Sequence, residues 1–160
     1  MEYPRKVGND NGRWMDGNGG CSRGFCIGQR QGAEMTSRVL LMDDDEAVLE
    51  VTSEILRVFG YEVEIAHDGK EALELYHQGM INGKRFDIVI MDLTIPGGMG
   101  GRDAVVELHK LDPEAKAMVS TGHADDPAVS QFSDHGFVGV IPKPYRIDEL
   151  DKRIKRAMQV

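Results

Sequence analysis

Beyond residue 38 the chain alternates short apolar runs with stretches of helical periodicity, five of each, and no other feature constrains its fold as strongly. Residues 39–42 form an uninterrupted apolar run that ends at Asp43, the pattern of a strand buried on both faces. Residues 46–59 place Val48, Val51, Ile55 and Val58 at spacings of 3, 4 and 3, which predicts an amphipathic helix burying those side chains and stopped by Gly60. A second strand is expected over 61–66, then a helix from Gly69 to about Gly79 with Ala72, Leu73 and Tyr76 on one face. The third strand is 86–91, followed by a loop over 92–101 and a helix over 102–111 that Asp112-Pro113 ends. A fourth strand (116–121), a weaker fourth helix (126 to about 135), a fifth strand (137–141) and a helix over 147–158 carrying Ile147, Leu150, Ile154 and Met158 complete the pattern.

Short parallel strands need helical crossovers, so the alternation points to an α/β domain with a five-stranded parallel sheet. Strand order cannot be read from the pattern, but the place of a ligand can: it lies at the carboxyl ends of the strands, around a switch in strand order. Polar residues stand immediately after the apolar runs. Asp43, Asp44 and Asp45 follow the first, Asp92 the third, Thr121 the fourth, and Lys143 comes just past the fifth. All should meet at one edge of the sheet.

Carboxylates held close together repel unless a cation neutralises them. An oxygen-only set with few protein ligands suits a hard divalent ion, and Mg2+ better than a full calcium cage. Magnesium in turn draws phosphate oxygens, for which the Thr121 hydroxyl and the Lys143 ammonium are suitable donors. A carboxylate facing phosphorus can act as nucleophile and form an acyl phosphate. Asp92, at the end of IVIMD, is the best placed.

These residues resemble the receiver domain of two-component response regulators over about 122 residues, from Val39 to Val160. The acidic pair is similar to Asp43 and Asp44, with Asp45 at the start of the next helix. The segment Met91-Asp92-Leu93-Thr94-Ile95-Pro96 resembles the phosphoacceptor loop, Ser120-Thr121-Gly122 the hydroxyl-bearing end of the fourth strand, and Lys143-Pro144 the family's Lys-Pro, whose peptide bond is commonly cis. The resemblance implies a three-layer, flavodoxin-like (βα)5 fold. It also implies Asp92 as phosphorylation site, the Thr94 carbonyl as a metal ligand beside Asp43, Asp44 and Asp92, and Lys143 and Thr121 as phosphoryl contacts. A histidine kinase or histidine phosphotransfer domain would be the donor, an unspecified downstream protein the target, and the domain a monomer or weak dimer. The phrase DLTIPGGMGG is similar to receivers attached to hybrid sensor histidine kinases, in a loop one residue longer than the usual pattern. Val140, three residues before Lys143, stands where many receivers carry an aromatic switch residue.

Each element also fits a plainer account. Asp43 to Asp45 could cap the following helix, Asp92 could be a turn residue, Thr121 could satisfy a strand end, and Lys143 could be a solvated charge. Gly97, Gly98, Gly100 and Gly101 match neither a P-loop nor a dinucleotide fingerprint and read as residues of a turn and a helix start. His67, His77, His109, His123 and His135 show no ligand spacing, and the basic cluster Lys152, Arg153, Lys155, Arg156 suits the end of the last helix. Two other functions remain open: a receiver acting by protein contact without phosphate, and a phosphatase with an aspartyl nucleophile. The second usually has another acid two residues on, where this chain has Thr94, and a cap domain for which there is no room.

Composition supplies the remaining bounds. Residues 1–38 hold six basic and four acidic side chains and eight of the 19 glycines without apolar periodicity, so they are expected to form a weakly ordered tail or linker before a domain over 39–160. Cys21 and Cys26 fall short of the four ligands of a zinc site and read as free thiols. The formal net charge of -8 disfavours an electrostatic grip on nucleic acid or anionic membrane. No apolar run approaches a membrane span and no secretory signal is visible, so a cytoplasmic location is expected. Only 17 residues follow Lys143, which suggests a stand-alone receiver or a piece of a larger kinase.

Overall fold

A computed structural model of the chain describes residues 36–122 and 127–160. The expectations for the Gly-rich segment up to residue 35, for Cys21 and Cys26, and for His123 lie outside the described residues. Five strands, β1 (Arg38–Met42), β2 (Glu62–Ala66), β3 (Ile88–Asp92), β4 (Ala117–Thr121) and β5 (Gly139–Pro142), alternate with α1 (Glu46–Val58), α2 (Gly69–Ile81), α3 (Gly101–Leu111), α4 (Pro127–Ser130) and α5 (Ile147–Met158). The sheet is wholly parallel in the order β2-β1-β3-β4-β5, a flavodoxin-like arrangement. The chain reverses direction across the sheet between β1 and β3, so the crevice at their carboxyl ends is the switch point.

Side chains on β1 alternate between two cores. Val39 and Leu41 pack with Leu49 and Leu56 of α1 and Leu150, Ile154 and Ala157 of α5. Leu40 and Met42 pack with Ala72 and Tyr76 of α2 and Ala104, Val105 and Leu108 of α3. Both faces of the central strands are therefore dry, as their unbroken apolar runs require. Among the described residues no helix is long and apolar enough to cross a membrane.

Three features differ from the sequence pattern. The buried face of α1 is Leu49, Thr52, Ser53 and Leu56, whereas Val51 is 56% and Val58 85% exposed and Val48 and Ile55 are only partly covered. Two stripes of helical spacing lie one residue, about 100°, apart on this helix, and small Thr52 and Ser53 occupy the side toward the sheet. The expected fourth helix is a single turn, after which 131–136 is turn structure stitched by bonds three residues apart, such as Gly136 N–H to the Ser133 carbonyl at 3.1 Å. On α5, Ile147 is exposed, and Leu150, Ile154 and Ala157 form the buried stripe.

Arg38, grouped with the tail on composition, is the buried first residue of β1. Its guanidinium donates to Glu62 at 2.9 Å and to Glu64 and the Lys84 carbonyl, and it stands 4.5 Å from the centre of the Phe86 ring. A buried cation needs such partners to offset its lost hydration.

Candidate functional site

The carboxyl ends of β1 and β3 are adjacent in register, Met42 beside Met91, which sets Asp43 next to Asp92. Oxygens of Asp43, Asp44 and Asp92 lie within 4.8 Å of one another. Asp43 is 1% exposed, and its Oδ1 accepts from the Asp45 N–H at 3.0 Å. Asp45 itself caps α1, accepting from the Ala47 N–H at 2.9 Å and the Val48 N–H at 3.3 Å. Capping thus accounts for Asp45 but not for Asp43 or Asp44.

From the β5–α5 turn the Lys143 ammonium reaches across to both strands. It donates to Asp43 Oδ2 and, at 2.8 Å, to Asp92 Oδ2. Burial works against its charge, but the hydrogen bonds to Asp43 and Asp92 outweigh this and hold its pKa above that of an ordinary lysine. Asp92 Oδ1 accepts from the Thr94 N–H at 3.3 Å, which ties the loop to the carboxylate. Thr121 is buried at the end of β4, one step beyond Ser120, the register partner of Asp92, and its carbonyl accepts from the Lys143 N–H at 2.9 Å. The Lys143–Pro144 peptide is cis. Three carboxylates against one ammonium leave the pocket net negative, and their oxygens are close enough for one hard cation to reach all three. The donor set therefore fits the magnesium expected on sequence grounds.

The loop after β3 leans away toward α2. The Met99 carbonyl accepts from the Gly69 N–H at 2.8 Å, and Gly97 takes the left-handed conformation with φ of 75°. A Cβ on Gly101 would stand 2.6 Å from the Asp92 carbonyl oxygen, so the glycine is what lets α3 begin against the backbone of Asp92. Val140 is half-buried and packs against the core on the α2–α3 side.

Two features of the site were not legible in the residue pattern. Tyr145, two residues past Lys143, places its Oη 2.5 Å from Ser120 Oγ. Burial pushes this phenol above its ordinary pKa; the Ser120 bond and the nearby Lys143 ammonium counter it, while Asp43 and Asp92 add to it. The second is a groove of about 550 Å³ between α1 and the β5–α5 turn, lined by Val48, Val51, Ile55, Lys143, Pro144 and Tyr145. Val48, Val51 and Ile55, which periodicity assigned to the core, line this groove, whereas Val58 is simply exposed; the second stripe of helical spacing on α1 was the available signal. Just past the carboxyl end of β2, His67 lies between Glu71 (Nδ1, 2.8 Å) and Glu46 (Nε2, 2.9 Å), joining the start of α1 to the start of α2.

Residues 39–155 match the response regulator receiver domain, and the chain belongs to that family. A response regulator receiver protein of Anaeromyxobacter sp. (strain Fw109-5) is 40% identical over 113 residues, covering 71% of this chain and 45% of that protein. The chain thus spans about half the length of the curated relatives it matches. Among solved structures, a CheY-like receiver from Methanospirillum hungatei JF-1 is 32% identical with a TM-score of 0.66, covering 78% of this chain and 94% of the other. The receiver of sensor histidine kinase PA1611 from Pseudomonas aeruginosa PAO1 has the same fold, with a TM-score of 0.68 at 22% identity, covering 78% and 99% of the two chains. That receiver was solved with a magnesium ion coordinated in its active site cleft. The Asp43, Asp44, Asp92 cluster is of the kind typical of the Mg2+ site in receivers.

Proposed function

We propose that the domain is the phosphoacceptor of a phosphorelay, taking a phosphoryl group from a phosphohistidine onto Asp92 and thereby changing a protein-binding face. The observation that carries this reading is the Lys143 ammonium bonded to both Asp43 and Asp92 at the switch point of the sheet. An oxygen of Asp92 attacks phosphorus; the P–O bond forms as the P–N bond breaks, and the imidazole nitrogen keeps the bonding pair. Lys143 and the Thr121 hydroxyl are the residues suited to neutralise and orient the phosphoryl oxygens, and the Thr94 N–H restrains the second oxygen of Asp92. Magnesium, when bound, would be held by Asp43, Asp44, Asp92 and the Thr94 carbonyl and would offset charge on the carboxylates and the incoming phosphate. Hydrolysis reverses the state: water adds to phosphorus, Asp92 returns as carboxylate, and inorganic phosphate and a proton leave. The added dianion drawn to Lys143 and Thr121 would then bias the surface of α4 and β5.

The apolar groove between α1 and the β5–α5 turn, which Lys143 itself helps to line, supports a helical donor domain as the partner. Incubation with acetyl phosphate and Mg2+, followed by intact mass, tests the central claim. One added phosphoryl mass, absent in Asp92→Ala, is expected; no addition, or one that survives the substitution, would overturn it. Val51→Glu should slow transfer from a phosphohistidine donor while leaving the acetyl phosphate reaction unchanged.

A further inference from the structure

Two hydroxyls outside the proposed phosphoacceptor set meet behind Lys143. Tyr145 Oη is 2.5 Å from Ser120 Oγ, while the Lys143 N–H donates to the carbonyl of the next β4 residue, Thr121, at 2.9 Å. The turn at 143–145 is therefore tied to consecutive residues of β4, once through backbone and once through side chains. Ser120 is buried and in register with Asp92, so its position is set by the sheet. A lysine stem is flexible, and the place of its ammonium depends on how firmly its backbone is anchored. Tyr145 also lines the groove between α1 and this turn. It touches both the anchor of Lys143 and the surface a donor would occupy.

We propose that Tyr145, through its hydroxyl bond to Ser120, is a positioning residue that sets where the Lys143 ammonium sits against Asp43 and Asp92. Because the same side chain lines the groove, a partner seated there would reach the anchor of the lysine through Tyr145. The inference rests on the phosphoacceptor reading for its rate effect, but the placement of Lys143 can be measured without phosphate.

The test uses the full chain with Tyr145→Phe, which keeps the ring and removes Oη, Ser120→Ala, and the double variant. Two quantities are read: the rate of Asp92 phosphorylation by acetyl phosphate with Mg2+, and the Lys143 side-chain ammonium resonance by NMR without either. Each single variant should slow phosphorylation about three- to tenfold, the worth of one hydrogen bond. The double variant should be no slower than the slower single, because both remove the same bond. The Lys143 resonance should move in all three, which a merely structural loss of stability would not cause. A folded Tyr145→Phe with a rate within about twofold of the parent and an unmoved Lys143 resonance overturns the proposal, as do additive effects in the double variant. If Tyr145→Phe does not fold, Ser120→Ala decides by the same criteria. A parent that takes up no phosphoryl group rejects the phosphoacceptor reading, and the resonance alone then decides the positioning claim.

Discussion

Lys143 Nζ lies 2.8 Å from Asp92 Oδ2 although 51 residues separate them, and the same ammonium holds the buried Asp43. One cation from the β5–α5 turn thus joins the ends of two neighbouring strands. Lys143→Met leaves a buried carboxylate without its counter-charge. In chelator at neutral pH this should cost roughly 2 kcal/mol, less than for a fully buried pair because Lys143 and Asp92 keep some contact with water. Urea unfolding with and without Mg2+ checks it, and added Mg2+ should return part of the loss.

Asp92→Asn should act in the opposite sense. Removing one of three crowded negative charges relieves repulsion, so the variant gains about 1 kcal/mol in chelator. It also loses a ligand. Mg2+ should raise the Tm of the parent and raise that of the variant less, and no acyl phosphate should form in the variant. Thermal unfolding at graded Mg2+ separates the two effects.

The His67 bridge predicts a pH dependence. The bond to Glu71, followed by the bond to Glu46, raises the histidine pKa above its ordinary 6.5, and the His67 backbone N–H, then its ring, lowers that of Glu71 below 4.5. A raised histidine stabilises fully below its unfolded value and loses this as pH rises through the folded value; a depressed carboxylate loses its share as pH falls through its own folded value. The bridge is complete between these limits. Tm should therefore fall as pH rises past the His67 titration, and His67→Gln should remove that segment of the profile. The effect is small because both groups are close to half exposed.

Gly101→Ala drives a methyl group to 2.6 Å from the Asp92 carbonyl oxygen. The backbone carrying the proposed nucleophile must shift, so a loss of about 1–3 kcal/mol together with slower phosphorylation is expected. Gly97→Ala is the control. Its Cβ meets open space and only the positive φ resists it, so about 1 kcal/mol is lost and the acetyl phosphate rate stays near that of the parent.

Arg38→Met tests the other end of β1. It removes the partner of Glu62 and Glu64 and the cation over Phe86, and both glutamates can rehydrate because they are partly exposed. About 2 kcal/mol of stability should be lost. Phosphorylation should proceed at the parental rate, because Arg38 sits at the amino end of the strand that carries Asp43 at its carboxyl end.

The alternation of strands and helices, the parallel sheet, and the acidic edge with Asp43, Asp44 and Asp92 were all legible in the residues. Element type is written in local periodicity, and in a parallel sheet the residues after each apolar run must share one edge. The donor roles of Thr121 and Lys143 followed from the same edge, the resemblance added the flavodoxin-like fold and the Thr94 carbonyl as an implied ligand, and the structure supplied the strand order. The fourth helix was over-read because residues 131–136 form tight turns ending at Gly136, whose φ is 86°.

Sequence by itself determined which side chains could serve a phosphoryl site and the edge of the sheet on which they must lie. Only the tertiary structure decided which stripe of α1 faces the core, since a rotation of one residue leaves the periodicity unchanged and is settled by how closely Thr52 and Ser53 let the helix approach the sheet. It also decided that Val51 and Ile55 would line a groove and that Tyr145 would meet Ser120. These are contacts between elements distant in the chain, and no local pattern encodes them.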